Sequence, residues 1–274
     1  MSGAARALCR RLGIVHPVIQ APMAGVQGSA LAIAVSEAGS LGSLPCAMLP
    51  PASIRAELET IRTRTRRPVN VNFFCHAPAV ADASREVRWR GLLAPYYREF
   101  GLDADAVPPA PARQPFDADI AALVEPFAPA VVSFHFGLPA APLLARVKGW
   151  GATVLASATT LDEALWLERH GADVIIAQGL EAGGHRGLFL GGDVGTQVGT
   201  LALVRGIVRA VELPVVAAGG IADRAGIAAA LALGAAAVQL GTSFLLCPEA
   251  TTSAEHRAAL AGSGARDTAL TNLF

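Results

Sequence analysis

The sequence of 274 residues has few charged residues, few aromatic residues and few cysteines. Charged residues make up 16% of the chain and aromatic residues 5%, and none of the four cysteines belongs to a CxxC pair. Four such cysteines are too sparse for a disulfide scaffold or a structural zinc site, and a reducing compartment is expected. The 22 basic and 22 acidic residues leave no net charge, which argues against binding nucleic acid or an anionic membrane by bulk electrostatics.

Signals for export and for membrane insertion are also missing. The first residues carry Arg6, Arg10 and Arg11, but no apolar segment follows them, so a secretory signal peptide is not expected. The longest apolar run, residues 227–238, is shorter than the roughly 20 residues that cross a bilayer. The sequence therefore predicts a cytoplasmic protein without a membrane or nucleic-acid partner, and it leaves homo-oligomerisation open.

Short apolar runs alternate with alanine-rich amphipathic segments along most of the chain. The runs predict eight strands, at residues 18–23, 41–46, 69–74, 130–136, 153–158, 173–178, 214–218 and 236–240. Helices are predicted between them at residues 29–38, 52–65, 143–150, 161–170, 199–211 and 224–233. Continuous apolar strands that alternate with helices indicate a parallel sheet covered on both faces. Eight such units in about 250 residues match the size of a (β/α)₈ TIM barrel, and an open doubly wound sheet is the alternative.

Two segments depart from this alternation. Residues 77–128 are rich in proline and hold most of the aromatic residues, with a helical pattern at 82–100. We expect an insertion after the third strand that forms a lid or small subdomain over the strand ends; an elongated crossover without a role in binding is an equal alternative. Residues 179–198 are glycine-rich and too long for an ordinary connection, and such loops often carry function.

Two glycine-bearing turns follow the seventh and eighth strands, where barrel enzymes commonly hold phosphate. Gly219 and Gly220 lie in AAGGI, and Gly241 and Thr242 lie in QLGTS, about 21 residues further on. Glycine lets the backbone approach an anion closely, and exposed N–H groups donate to it. We therefore predict that these turns bind a phosphate group; tight turns without a ligand are the alternative.

The segment after the sixth strand combines a polar strand end with a histidine in a glycine-rich loop. Gln178 ends the strand, and its amide can pair with the edge of a heterocycle. Gly183 and Gly184 permit a tight backbone under a planar ring. His185 can act as a general base or, when protonated, stabilise an anion. A structural hydrogen-bonding role for His185 is the alternative.

Polar residues at other strand ends are candidates for the same site. Asn72 ends the third strand, and Met23 ends the first. His135 lies in the fourth strand, either as a hydrogen-bonded core residue or as a second histidine in the pocket. Glu181 and Arg186 are interpreted as solvated loop charges or a local ion pair. No cluster of histidine and cysteine has ligand spacing, so no metal is predicted.

Five segments taken together resemble the nitronate monooxygenase family, formerly the 2-nitropropane dioxygenases. They are QAPMAG at 20–25, VNFF at 71–74, AQGLEAGGHRG at 177–187, AAGGI at 217–221 and QLGTSF at 239–244. The combination of EAGGHRG with AAGGI is the specific part. The resemblance extends from about residue 16 to residue 274, and members of the family usually continue beyond that point with a helical region on the substrate side.

The resemblance implies an FMN-dependent barrel with FMN at the carboxyl ends of the strands. The implied cofactor-binding residues are Pro22, Met23, Asn72, Gln178, Gly183, Gly184, Gly219, Gly220, Gln239, Gly241 and Thr242. His185 occupies the family's catalytic position, where it abstracts a proton from a nitroalkane or stabilises a nitronate. The implied reaction oxidises an alkyl nitronate with O₂ to a carbonyl compound and nitrite. An FMN-dependent NAD(P)H reductase of the enoyl-acyl-carrier-protein reductase type and a non-catalytic flavin-binding barrel are the alternatives.

Overall fold

The chain forms a barrel of eight parallel strands. A computed structural model describes residues 2–78, 80, 82–103, 106 and 114–271. The strands are β1 Val18–Gln20, β2 Gly42–Pro45, β3 Val69–Phe74, β4 Val131–His135, β5 Thr153–Ala158, β6 Val174–Gln178, β7 Val215–Ala218 and β8 Ala237–Leu240. They pair in the order β1-β8-β7-β6-β5-β4-β3-β2, and a parallel bridge between Ile19 and Leu41 joins β1 to β2. The predicted TIM barrel is confirmed, and the doubly wound alternative is wrong.

Helices lie between most of the strands and at both ends of the described chain. They are α1 Gly3–Leu12, α2 Ser29–Glu37, α3 Pro51–Arg64, α4 Ala83–Glu99, α5 Ala118–Val124, α6 Ala141–Gly149, α7 Leu161–Arg169, α8 Thr200–Ala210, α9 Arg224–Ala232 and α10 Ala254–Ala261. Short 3₁₀ turns lie at Glu125–Phe127, Val194–Thr196, Thr242–Phe244 and Ser263–Arg266. None of the helices in the described ranges is long and apolar enough to span a membrane.

The predicted strand at residues 18–23 is longer than β1, which ends at Gln20. Ala21 still donates its N–H to the Leu240 carbonyl, but Pro22 has no N–H with which to continue the ladder. The chain therefore leaves the sheet at Pro22, and the residues that follow lie at the carboxyl end of the barrel.

The core has two apolar layers between strands and helices. One layer includes Ile175 and the helix residues Leu167 and Ile207, all without solvent exposure. The other includes Leu44 and Phe134 and lies against α3, α5 and α6. Burial of each large apolar side chain stabilises the fold by roughly 1.5–3 kcal/mol. Packing of these layers fixes the positions of the strands and therefore of the residues at their carboxyl ends.

Helix α1, which the sequence patterns did not predict, covers the amino-terminal end of the barrel. Leu8 and Leu12 are buried in one cluster with residues that begin several strands, among them Val131 and Val174. An ion pair of 2.8 Å joins Arg11 to Asp173, directly before β6. The amino end of the barrel is therefore closed by packing, and an open cavity is expected at the carboxyl end.

The predicted insertion at residues 77–128 spans parts of two compact units. One unit consists of the residues up to His76 and from Phe116 onward, and the other is Ala77–Pro115. The second unit contains α4, which follows the Asp82 N-cap and has no buried residue. Helix α5 belongs to the barrel unit, where it contacts α3 and α6. A lid role for residues 77–115 stays a prediction.

Candidate active site

A cavity of about 690 Å³ lies at the carboxyl ends of the strands, within the size range of ligand pockets. Every predicted site residue lines it: Pro22, Met23, Asn72, His135, Gln178, Gly183, Gly184, His185, Gly219, Gly220, Gln239, Gly241 and Thr242. These residues come from the ends of six strands, β1, β3, β4, β6, β7 and β8, that are far apart in sequence. The fold thus brings the predicted residues together, while their individual roles stay predictions.

The turns after β7 and β8 present backbone N–H groups without protein partners. In the described part of the chain, no protein acceptor receives a hydrogen bond from the N–H of Gly219, Gly220, Gly241 or Thr242. Because the four residues line the same cavity, their N–H groups can serve one anion. We call these four residues the phosphate cradle.

Backbone conformation requires glycine at two of three glycine positions in the site, but not at the third. Gly219 and Gly220 have φ of +123° and +65°, a region that side chains rarely adopt. In addition, a Cβ on Gly219 would lie 2.9 Å from the Ala182 nitrogen. Gly183 has neither constraint, since its Cβ would meet only the Thr242 hydroxyl, at 3.8 Å. Protein packing gives no reason for glycine at 183, and a closely approaching ligand would give one.

The ends of β1, β3 and β8 also line the cavity. The Asn72 amide donates to the Ser133 hydroxyl at 3.0 Å, which fixes its orientation at the edge of the cavity. The Oε1 atom of Gln239 is buried and has no partner among the described residues. A buried acceptor without a donor is costly, so Gln239 points to a ligand that supplies a hydroxyl or N–H group.

The His185 side chain is exposed to the cavity next to two aromatic rings. Its ring centroid lies 5.4 Å from that of Phe74 and 6.1 Å from that of Phe136, both edge-on. Phe136 has φ of +66°, an unusual backbone conformation for a bulky residue that often occurs at functional sites. No hydrogen bond within the described ranges involves the His185 ring nitrogens, which are therefore free to exchange a proton with a ligand.

The carbonyl of His185 is held by two side chains, one from the end of β6 and one from the end of β4. Gln178 donates to it from Nε2 at 2.9 Å, and Nε2 of His135 lies 3.1 Å from it. Oε1 of Gln178 accepts the Gly187 N–H at 2.7 Å. Both Gln178 and His135, predicted to face the ligand, thus also fix the loop that carries His185.

The pKa of His135 is lowered to about 4, mainly by burial and also by the nearby His185 and Arg186, although the hydrogen bond to the His185 carbonyl acts in the opposite direction. His135 is therefore neutral at physiological pH, and its Nε2 carries the proton that the carbonyl accepts. A Cβ on Gly187 would lie 2.6 Å from His135 Cε1. Only glycine at 187 allows the loop to pass this close to the imidazole.

The charged side chains of Glu181 and Arg186, in the same loop as His185, both form hydrogen bonds within the protein. Glu181 accepts hydrogen bonds from the N–H and hydroxyl of Thr200, at 2.8 and 2.7 Å, and so caps α8. Burial alone would raise the pKa of Glu181, but these hydrogen bonds lower it. Arg186 donates to the carbonyls of Gly179 and Gln178, and burial lowers its pKa. Neither residue is simply solvated, and no ion pair joins them among the described residues.

Sequence reasoning missed Glu163 and His256. Glu163 in α7 has no solvent exposure and accepts four hydrogen bonds; the spacing Thr160-x-x-Glu163 of a capping box was the available signal. His256 in α10 lines the cavity, and its isolated position in the sequence gave no signal. No cluster of metal ligands occurs within the described ranges.

Comparison with known proteins identifies the family. A family model described as nitronate monooxygenase matches residues 6–274. A nitronate monooxygenase of Paraburkholderia phytofirmans is 48% identical over 271 residues, which cover 97% of this chain and 73% of the relative. The chain belongs to the nitronate monooxygenase family. As a member of the nitronate monooxygenase family it is an oxidoreductase.

Solved structures with the same fold agree with this assignment. A nitroalkane oxidase from Streptomyces ansochromogenes has a TM-score of 0.88 and 38% identity, covering 95% of this chain and 75% of that one. A FabK variant from Thermotoga maritima has a TM-score of 0.75 and 32% identity, covering 97% and 74%. The nitroalkane oxidase is thus the more similar of the two to this member of the nitronate monooxygenase family.

Proposed function

We propose that this chain oxidises alkyl nitronates with O₂ to carbonyl compounds and nitrite, with FMN as its cofactor. The observation that carries the proposal is one cavity that contains both the phosphate cradle and His185. A barrel with this arrangement in the nitronate monooxygenase family supports an oxidative reaction of a nitronate.

The residues of the cavity fit FMN. The free N–H groups of the phosphate cradle suit a phosphate group without any lysine or arginine in the lining. The unpartnered Oε1 of Gln239 suits a hydroxyl group of the ribityl chain, and Asn72, Pro22 and Met23 are the residues that would lie beside the ring system. When bound, FMN supplies the electron chemistry of the reaction, and the protein supplies binding and orientation.

His185 handles the proton of the substrate in this proposal. Its ring nitrogens have no partner among the described residues, and its backbone is fixed by Gln178 and His135. In the neutral form it takes the proton from a nitroalkane, and in the protonated form it stabilises a nitronate anion. Phe74 and Phe136 lie edge-on to the imidazole and limit the positions that it can take in the cavity.

Two measurements test the proposal. Purified protein should show flavin absorption bands, or acquire them with added FMN, and should release nitrite from propyl nitronate in air. His185→Asn should keep FMN and lose about 10²–10⁴-fold in turnover, the usual worth of a positioned acid or base. A colourless protein that does not take up FMN would overturn the cofactor, and unchanged nitrite release by His185→Asn would remove His185 from the reaction.

The alternatives predict different reactions of the bound flavin. Anaerobic stopped-flow mixing with NADH, NADPH and propyl nitronate in turn separates them. We expect rapid bleaching by the nitronate and none by either nicotinamide. Bleaching by a nicotinamide alone would favour the reductase, and no response to any of the three would favour a non-catalytic flavin-binding barrel.

A further inference from the structure

The loop after β6 carries His185 but has little regular structure of its own. Residues 179–198 contain only the short turn Val194–Thr196, and the segment from Gly183 to His185 is exposed. A loop of this kind needs hydrogen bonds from the barrel to hold one conformation. Gln178 and His135 provide such bonds at His185 itself, and the next group that does so lies outside the cavity.

The Glu163 carboxylate joins the β5–α7 turn to this loop. Its Oε2 accepts the N–H and hydroxyl of Thr159, at 2.7 and 2.8 Å. Its Oε1 accepts the N–H groups of Phe189 and Leu190, at 2.6 and 3.2 Å. In an ordinary capping box the glutamate accepts the N–H of the N-cap residue; here one oxygen accepts instead from Thr159, directly before the N-cap Thr160, and the other holds the loop four residues after His185.

The groups that contact Glu163 are all hydrogen-bond donors. The carboxylate is fully buried, and all four of its hydrogen bonds come from donors, which suits a carboxylate that only accepts. The Arg186 guanidinium interacts favourably with the Glu163 charge. Arg186 follows His185 directly and Phe189 comes four residues after it, so Glu163 acts on the segment that follows the histidine, through Arg186 and through Phe189.

We infer that Glu163 is a positioning residue for the proposed reaction, fixing the loop so that His185 stands at the correct place in the cavity. The inference rests on the proposed function for its kinetic effect, because misplacing a catalytic group by about 1 Å can cost about 10²-fold in rate. The hydrogen bonds themselves can be tested without turnover.

The chain offers a closely matched control in Glu168 on the same helix. Its Oε1 accepts the N–H groups of Glu212 and Leu213, at 2.7 and 3.3 Å, which is the same type of contact. Those two residues lie in the connection that precedes β7, at the amino end of the barrel and away from the cavity. Glu163→Gln and Glu168→Gln thus remove similar contacts, of which only one holds the His185 loop.

Kinetics of the two variants with bound FMN test the inference. We expect Glu163→Gln to lower kcat about 10- to 100-fold with little change in flavin content, because the phosphate cradle is on β7 and β8. Glu168→Gln should keep kcat within about twofold. In the His185→Asn background, Glu163→Gln should have no further effect on kcat, since it acts through the histidine. Equal kcat in the two single variants, or the same loss with and without His185, would overturn the inference.

Amide hydrogen exchange in the unmodified holoprotein gives a readout without turnover. Phe189 and Leu190 should exchange more slowly than the neighbouring Gly191 and Gly192, for which the described residues show no such acceptor. Equal exchange at the four amides would overturn the inference even if Glu163→Gln failed to fold. Slow exchange at Phe189 and Leu190 in a protein that oxidises no nitronate would instead refute the proposed function. It would leave intact the conclusion that Glu163 holds the loop through these two N–H groups.

Discussion

Two histidines whose rings share the same aromatic neighbours have different tasks at the residue scale. Both His135 and His185 lie edge-on or tilted against Phe74 and Phe136. His135 uses its Nε2 to hold the His185 carbonyl, whereas the His185 ring remains available to a ligand. His135 needs to stay neutral for its hydrogen bond, and in the proposed reaction His185 exchanges a proton with the substrate. Both are possible in one cavity because the His135 ring is hydrogen-bonded to the protein, whereas the His185 ring has no protein partner among the described residues.

Acid stability provides a test of the neutral state of His135. Since its pKa is lowered from 6.5 to about 4, the unfolded chain binds a proton between these pH values that the folded chain does not. The free energy of unfolding therefore falls as the pH drops through this window, by on the order of 2 kcal/mol from this group. His135→Gln, which can still donate to the carbonyl, should lose less stability between pH 7 and pH 4.5 than the unmodified protein. Urea unfolding at both pH values measures the difference.

His16→Gln serves as the control for that experiment, because His16 is exposed. It should show the same pH dependence of unfolding as the unmodified protein. If His135→Gln also behaved like the unmodified protein, His135 would not be the group whose protonation weakens the fold.

A substitution at Gly183 tests ligand binding with less disturbance of folding than a substitution at Gly219 or Gly220. Gly183→Val should fold with a nearly unchanged melting temperature, because its Cβ meets only the Thr242 hydroxyl, at 3.8 Å. The valine should nevertheless lower the FMN content severalfold by filling the space beside the phosphate cradle. Flavin absorbance per protein after dialysis measures this effect. Gly192→Val, at a position with open space around it, should keep its flavin; full flavin in Gly183→Val would refute the assignment.

At the scale of elements, the two ends of the barrel depend on different parts of the chain. Helix α1 closes the amino end with Leu8, Cys9 and Leu12. The connections after the strands form the cavity at the other end. We therefore expect substitutions in α1 to affect stability and not chemistry.

Leu8→Ala tests this separation. Leu8 is 1% exposed, and truncating such a leucine costs about 2–5 kcal/mol through lost burial and the cavity left behind. Thermal unfolding should show this loss, while kcat for folded, flavin-loaded protein at 25 °C should stay within about twofold. Leu92→Ala in α4, at a 67% exposed position, should change stability by less than about 0.5 kcal/mol. A large fall in kcat for Leu8→Ala would contradict the separation.

At the scale of the whole molecule, the cavity links segments that are distant in sequence. Its lining extends from Ala21 to Leu260 and includes residues that follow β1, β6, β7 and β8. A ligand that contacts all these segments binds only the folded chain. Such a ligand stabilises the fold by about 2.7 kcal/mol when its concentration is 100 times its Kd.

We therefore expect added FMN to raise the melting temperature of protein stripped of its flavin. The rise should grow with the logarithm of the FMN concentration above Kd. Differential scanning calorimetry across a concentration series measures it, with riboflavin, which lacks the phosphate, as the comparison. An equal effect of riboflavin would contradict the role of the phosphate cradle.

The alternation of strands and helices and most residues lining the cavity were predictable from the sequence because both depend on local patterns, whereas closure of the sheet into a barrel was implied by the family resemblance. Apolar runs located the strands, and the ends of parallel strands meet at one face whatever the details of packing. The contacts between distant segments were not predictable. Glu163 and Phe189 are 26 residues apart, and no periodicity connects a helix start to a loop. Helix α1 was missed although its signals are local: Ser2 caps its start, Leu8 and Leu12 are spaced one turn apart on its buried face, and Gly13 ends it.

The amino end of the barrel is closed and the carboxyl end is open, so the two ends can be redesigned independently of each other. Libraries aimed at new substrates can be confined to the connections after the strands, where side chains reach the cavity. Thermostabilising substitutions can be introduced around α1 and the strand beginnings, where none of the described residues lines the cavity. The two sets can then be optimised in parallel and combined in one variant, because their effects should add.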